Sequence, residues 1–511
     1  MKHLTTFALF CNFIAIIGAC LYLIFRTGFD TPTEPIFLVL GLSSLLLNFS
    51  NHFYSLWLRL RPALQQTTPP WYLSDNALNL GIFLFITALG YVEAQFLAYP
   101  LALMGYVLLL NNLRLFLSSQ PIARSLGGGL LALFFSLWVA NTVWGKFCNE
   151  PTLVETALFF SKEMFFPTLI DTFYHITAAQ IHKTYQTVST GLDGLPFMYY
   201  HTYSHWTMGQ FSKLTGVSVL EIYSMGYVVL IAPFFFRVFL SFVAEVRLFF
   251  LQPSSGHISL NFYFWLTFLA LFIQFPRHLY SGGLLGLPFI IVESYTFSLF
   301  FLVGWFSLLM AFWKTPAQSG FTKGLFLWFV LPFLYFCICY SSISTGFVLA
   351  GLIAYLFFRL RLFRKGAYVV ATGLLAAVFV GTYLLAVETN IFGRSYHQEG
   401  ELAFFYFFFH THPFEAFNFW GLFYGWLYAA IITYFYVVKK GSRNPLPINP
   451  ALPGYLGAEI VLVIAFFGLL PCFFVKMLGG TAMYFLGIQL WVSGGLLMAL
   501  LPNVQIALPT A

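Results

Sequence analysis

The chain has 511 residues, length enough for about three or four soluble domains, yet Asp, Glu, Lys and Arg make up only 8% of it, against roughly 25% in soluble domains. With 60% hydrophobic residues and 66 Phe, too little polar surface remains to cover a water-soluble globule, and the apolar excess is expected to face lipid. Six scattered Cys exclude a disulfide scaffold, and the net charge of +7 fits basic loops on one face of a membrane without calling for nucleic acid.

A bilayer core of about 30 Å needs roughly 20 apolar residues in helical form. Fourteen such stretches follow in chain order, near 5–25, 35–57, 77–92, 95–113, 127–145, 217–240, 258–275, 285–312, 324–340, 345–358, 366–387, 417–438, 452–475 and 480–501. The fold class is therefore an all-α polytopic membrane protein with about 14 transmembrane helices and a helical outer loop after the fifth. The first stretch has signal-peptide features, but its apolar run continues to Phe25 and more spans follow, so it reads as an uncleaved anchor. The pair of short spans around Tyr340 to Thr345 reads either as a hairpin or as one broken or re-entrant element.

Strict alternation from a cytoplasmic N-terminus puts 16 Lys and Arg and two acids, Asp75 and Glu245, in inside segments, against eight Lys and Arg and twelve acids outside. The positive-inside rule predicts such an asymmetry. Both termini are then cytoplasmic.

Two outside segments are long, 146–216 and 388–416, and long polar connections are where function is expected. In the first, Pro151 to Phe166 suits an interfacial helix. After Pro167, the residues Asp171, His175, Ala178 and His182 recur at helical spacing and share one polar face. A break at Gly191 to Pro196 precedes FMYYHTYSHWTMGQFSKLTG, where Tyr200, His201, His205 and Trp206 interleave aromatic rings with hydrogen-bonding groups. Such a surface suits a sugar, whose C–H face stacks while its hydroxyls need donors and acceptors; it also suits any membrane-interface belt. Asp171 reads either as a helix-capping carboxylate or as a general base tuned by a neighbouring imidazole. The histidines read either as interfacial hydrogen-bonding groups or as metal ligands.

In the second long segment, Glu399 and Glu401 form an acidic pair able to hold a divalent cation, beside Arg394 and His397, which suit a phosphate. Glu221 and Glu293 fall inside apolar spans, where ionisable groups mark sites by default. Arg277, in an outer turn, suits a leaving phosphate or a lipid phosphate.

The stretch DTFYHITAAQI followed by GLPFMYYHTYSHWTMGQFSKLTGVSVLEIYSMG resembles the first large outer loop and following helix of bacterial C-superfamily (GT-C-like) membrane glycosyltransferases. The elements that carry the resemblance are Asp171 and His175, the Tyr200–His201 pair, His205, and the turn Leu214 to Gly216. The later SSISTGFVLAGLIAYLFFRLRLF is similar to a Gly-containing helix of that superfamily, and the whole likeness covers about a quarter of the chain. Here the loop follows the fifth span instead of the first, and the acidic pair common in that loop is missing.

The resemblance implies four added N-terminal helices (1–126), a core (127–440) and a C-terminal hairpin (441–511). It implies transfer of a sugar from a polyprenyl-phosphate donor to an acceptor at the outer face of the bacterial cytoplasmic membrane. Asp171 would be the base and His175 its orienting partner. His182, Tyr200, His201, His205, Trp206, Glu221, Arg277, Glu293 and Arg394 would hold substrate, and Glu399 and Glu401 a divalent cation. Two other classes remain open: a transporter or flippase of lipid-linked sugar, with Glu221, Glu293 and Glu459 marking a path, and a non-catalytic subunit with envelope protein partners.

Overall fold

The computed structural model of the chain describes residues 2–27, 34–60, 70–118, 122–147, 167–187, 189, 202–251, 293–314, 319–388, 402–410, 424–440, 455–476 and 479–501. Among the described residues the chain is helical almost throughout, with no strand and one antiparallel bridge between Leu402 and Val475. It forms two compact units, Met1–Ser241 and Phe242–Ala511.

The first unit begins with α1 (Lys2–Thr27), α2 (Glu34–Leu60), α3 (Asp75–Tyr91), α4 (Ala98–Ser118), α5 (Ile122–Phe147), α6 (Pro167–Tyr185) and α7 (Thr202–Thr215). A long helix, α8 (219–251), then runs from Val219–Glu221 through a π-helical stretch Ile222–Ile231 into Ala232–Leu251, within which the unit boundary falls. Two of the starts are capped by serine: Ser74 caps α3 by accepting from the Ala77 N–H, and Ser218 opens α8 in a capping box with Glu221. Helix α2 packs along α4, α1 against α2 and α5, and α3 against α2 and α7. At the α2–α4 crossing a Cβ on Gly105 would stand 1.9 Å from the Gly41 carbonyl oxygen. Only small residues allow backbones so close, which is how apolar helices associate where no hydrophobic effect drives them together.

Amides fasten the same helices. Asn12 and Asn48 donate to each other's carbonyls at 3.1 and 3.2 Å, and Asn112 donates to the Asn48 carbonyl at 2.9 Å. Arg237 of α8 is likewise fully buried and grips Asp75 at the start of α3 with two bonds, Nη1 to Oδ2 at 2.6 Å and Nη2 to Oδ1 at 2.7 Å. Ser50, Asn51, Ser241 and the Leu47 carbonyl take its remaining donors. The pair ties α2, α3 and α8 together.

The second unit contains α9 (Glu293–Lys314), α10 (Gly320–Ser341, with a π-helical turn at Phe326–Val330), α11 (Ile343–Arg359) and α12 (Gly366–Glu388). After these come α13 (Tyr406–His410), α14 (Tyr424–Lys440), α15 (Leu456–Phe474), α16 (Gly479–Leu486) and α17 (Ile488–Leu500). The segment left open around Tyr340 to Thr345 is a hairpin: α10 ends at Ser341, Ser342 alone is extended, and α11 begins at Ile343. Glu459 is held by Arg359, at 2.9 and 2.8 Å, and by the Tyr355 hydroxyl at 2.9 Å.

Eight described helices are long and apolar enough to cross a membrane: Thr5–Ile24, Glu34–Trp57, Gln95–Ser118, Met225–Phe250, Ser294–Lys314, Gly320–Ser341, Gly366–Leu385 and Leu456–Phe474. This fits a multi-pass membrane protein, and so do the many exposed Leu, Phe and Ile side chains, such as Leu110, Phe134 and Ile432. Five further expected spans are helices that are short or interrupted. Helices α3, α11 and α14 have 17 residues each, the apolar stretch in α5 is Gly129–Ala140, and the last span is divided at Gly487 into α16 and α17. The span expected near 258–275 lies outside the described residues. One boundary moves: the turn expected after residue 240 is helix to Leu251. Its charges do not end the helix because both are satisfied, Glu245 by Lys314 and Arg247 by the Ala499 carbonyl.

Candidate functional site

The polar segment singled out in the sequence forms the packed neighbours α6 and α7, neither of which is among the helices apolar enough to cross a membrane. Pro167 suits the first position of α6, where its missing N–H costs nothing, and His182 and Lys183 occupy the last turn. On the face expected to carry Asp171, His175, Ala178 and His182, the residues Ala178 and His182 are buried and His175 is half-buried, with Ala179 buried beside them, while Thr177 and Gln180 are exposed. Asp171 lies on α6 one turn before His175; its side chain is outside the described set.

Helix α7 has an unusual environment for its composition. Its sequence TYSHWTMGQFSKLT is rich in polar residues, yet twelve of its residues are buried, including Ser204, His205, Thr207, Gln210 and Ser212. Polar residues in such number on a helix normally stand in water. Here its neighbours close over it. Phe211 meets Phe83 of α3 at a ring separation of 5.8 Å, Trp206 meets Tyr91 at 6.3 Å, and Lys213 forms an ion pair with Glu93 at 2.7 Å. Gly209 faces α6 so closely that a Cβ would lie 2.7 Å from the Ala179 carbonyl oxygen.

The close approach brings two predicted residues together: His175 Nδ1 is 2.6 Å from His205 Nε2. An N–H···N bond of this kind needs one nitrogen to donate and the other to be bare. It couples a residue of DTFYH to one of YYHTYSH, 30 positions apart in sequence. A tetrahedral zinc would hold two imidazole nitrogens about 3.3 Å apart, at bonds of about 2.0–2.1 Å. The pair as it stands is a hydrogen bond, and among the described residues no group of three His, Cys, Asp or Glu side chains gathers in metal-binding geometry.

Two turns along α6, His182 is 3% exposed and its Nδ1 has no hydrogen-bond partner. Burial lowers its pKa to about 4, so the ring is neutral at pH 7. On α7 the Thr207 hydroxyl and the Gln210 carbonyl oxygen are also buried without partners, although the Gln210 amide donates to Gln186 at 3.1 Å. Native interiors satisfy nearly all buried polar atoms, and each exception costs about 1–3 kcal/mol. These three polar atoms on one helix pair are available to a ligand or to water, as are others buried elsewhere in the described residues.

The other predicted residues are placed as follows. Trp206 belongs to α7, half-buried and 5.7 Å in ring separation from Tyr203. Glu221 spends its carboxylate on the capping box, accepting from the Ser218 N–H at 3.2 Å and hydroxyl at 2.8 Å. Glu293 is the first residue of α9, in the second unit, with its side chain outside the described set. Tyr200, His201, Arg277, Arg394, Glu399 and Glu401 all lie outside the described residues, as does the interfacial helix expected over 151–166. Thr207, Gly209 and Gln210 were not expected as site residues. The signal was present, since a helix rich in polar residues between apolar spans has to satisfy its polarity somewhere.

No protein-family model, no curated protein and no solved structure matches this chain.

Proposed function

We propose that the α6–α7 pair binds the polar end of a lipid-linked sugar, and that the protein transfers this sugar from a polyprenyl-phosphate donor to an acceptor at the outer face of a bacterial cytoplasmic membrane. The observation that carries the reading is the His175–His205 contact, which unites the two halves of the glycosyltransferase-like pattern within one buried polar helix pair.

The chemistry asks little beyond what these helices carry. Asp171 takes the proton of an acceptor hydroxyl as its oxygen attacks the anomeric carbon, and the C–O bond to the carrier phosphate breaks, leaving the phosphate with the bonding pair. His175, held by His205, keeps donor or acceptor capacity on its other ring nitrogen to orient the carboxylate or the hydroxyl. Trp206 and Tyr203 offer ring faces for a sugar, and the lone polar atoms of His182, Thr207 and Gln210 offer hydrogen bonds. Arg277 and Arg394 are candidates to offset charge on the departing phosphate, and Glu399 with Glu401 to hold a divalent cation. Fourteen spans with both termini cytoplasmic belong to the same proposal. Against the path of acids that a transporter reading would use, Glu221 is engaged as a cap and Glu459 is locked to Arg359.

Transfer of labelled sugar from a polyprenyl-phosphate donor, measured in vesicles containing the intact protein, tests the reading. Asp171→Asn keeps size and hydrogen bonding but removes the base. Turnover should fall at least about a hundredfold, the usual span of general-base contributions, while donor binding persists. Unchanged turnover would refute it.

A further inference from the structure

The second unit carries a basic surface that the glycosyl-transfer reading does not use. Helices α10, α11 and α12 run alternately back and forth, so the start of α10, the end of α11 and the start of α12 meet at one end. The Trp328 indole N–H donates to the Ala367 carbonyl at 3.2 Å, joining α10 to α12 there. Six cations gather at this end. Two are spoken for, Lys314 by Glu245 and Arg359 by Glu459. Lys323, Arg361, Arg364 and Lys365 have no carboxylate partner among the described residues.

Three of these, Arg361, Arg364 and Lys365, are presented by a built turn, and Lys323 stands beside it on α10. Arg361 leaves α11 in the left-handed region, at φ 51°, where a non-glycine residue is strained. The backbone then closes twice, Arg364 N–H to the Arg361 carbonyl at 3.1 Å and Lys365 N–H to the Leu362 carbonyl at 2.9 Å. Lys323 and Lys365 approach the same ring, Tyr368, at 5.6 and 5.9 Å, so two ammonium groups converge across a chain separation of 42 residues. Around them stand exposed aromatics, Phe321, Phe329, Phe358 and Phe363. Aromatic rings with cations just beyond them at the ends of apolar helices are the arrangement of the headgroup layer.

We propose that Lys323, Arg361, Arg364 and Lys365 form a binding surface for the phosphate headgroup of an anionic phospholipid. The turn supplies guanidinium groups able to bond in bidentate fashion and one ammonium group, α10 supplies the second, and none has a carboxylate partner among the described residues, while the aromatic collar sits among the first acyl carbons.

The test is native mass spectrometry of the full chain released from vesicles of mixed phosphatidylglycerol and phosphatidylcholine. The wild type should retain the anionic lipid in strong preference. Replacing all four residues by Gln should abolish the preference, and exchanging each Lys for Arg and each Arg for Lys should preserve it. If the fourfold variant does not fold, Arg361→Gln and Arg364→Gln should each weaken the preference about fivefold. Equal retention of both lipids by the wild type would overturn the proposal, as would an undiminished preference in the Gln variants. So would displacement of the lipid by millimolar inorganic phosphate, which would make this a site for the free anion.

Discussion

His175 Nδ1 and His205 Nε2 stand 2.6 Å apart and fasten α6 to α7 through one shared proton. His205 is almost fully buried, so removing His175 takes a hydrogen-bond partner from a ring in the interior, and removing His205 takes one from a half-buried ring. His175→Ala and His205→Ala should each destabilise the protein by about 1–3 kcal/mol. The double variant should cost less than the sum of the two, with a coupling of at least about 0.5 kcal/mol in a double-mutant cycle read from detergent unfolding. Additive losses would mean that the contact contributes nothing.

Acid should weaken this part of the molecule. Folded, His182 is neutral, its pKa lowered by burial from 6.5 to about 4. Unfolded, the ring takes a proton near 6.5. Between those values only the unfolded chain binds it, so the contribution to stability is complete above pH 6.5 and is lost as pH falls toward 4, by up to about 3 kcal/mol. Unfolding midpoints between pH 7.5 and 4.5 should decline more steeply for the wild type than for His182→Leu. Parallel curves would show that the imidazole is not held neutral.

Gly209 permits the close approach on which the site depends. A side chain there meets the Ala179 carbonyl oxygen at 2.7 Å, closer than real Cβ contacts come, so one helix has to shift. Gly209→Val should destabilise by about 1–3 kcal/mol and raise hydrogen exchange over 175–185 and 202–215. Protection equal to that of the wild type would place the helices farther apart than described.

Much of this was legible in the sequence, and the rest was not for identifiable reasons. Apolar windows located most helices because lipid imposes a minimum length and forbids stray polarity. The same rule erred at Glu245 and Arg247, because a charge ends an apolar window while a paired charge need not end a helix. Glu221 drew attention as an acid inside a span, although Ser218-Val219-Leu220-Glu221 is itself a capping-box pattern. That His175, Ala178 and His182 share a face of α6 was readable from its period, whereas the partner of His175 was not, since helical spacing says nothing about a contact between helices. Nor could spacing join Arg237 to Asp75, which only the fold brings together.

That last pair makes its own prediction. Arg237→Met leaves the Asp75 carboxylate, only 10% exposed, without its cation and should cost about 3–5 kcal/mol. Adding Asp75→Leu should recover most of the loss, because two apolar side chains need no compensation. A double variant as unstable as the single one would mean that the surrounding Ser50, Asn51 and Ser241 bonds matter more than the charges.

The most direct measurement is photolabelling of the intact protein in vesicles with a polyprenyl-phosphate sugar bearing a diazirine on the sugar, followed by mapping of the labelled peptides. The account predicts adducts in α6 and α7, suppressed by unlabelled donor and reduced when His205 is replaced. Labelling confined to the second unit, or unaffected by competing donor, would contradict it.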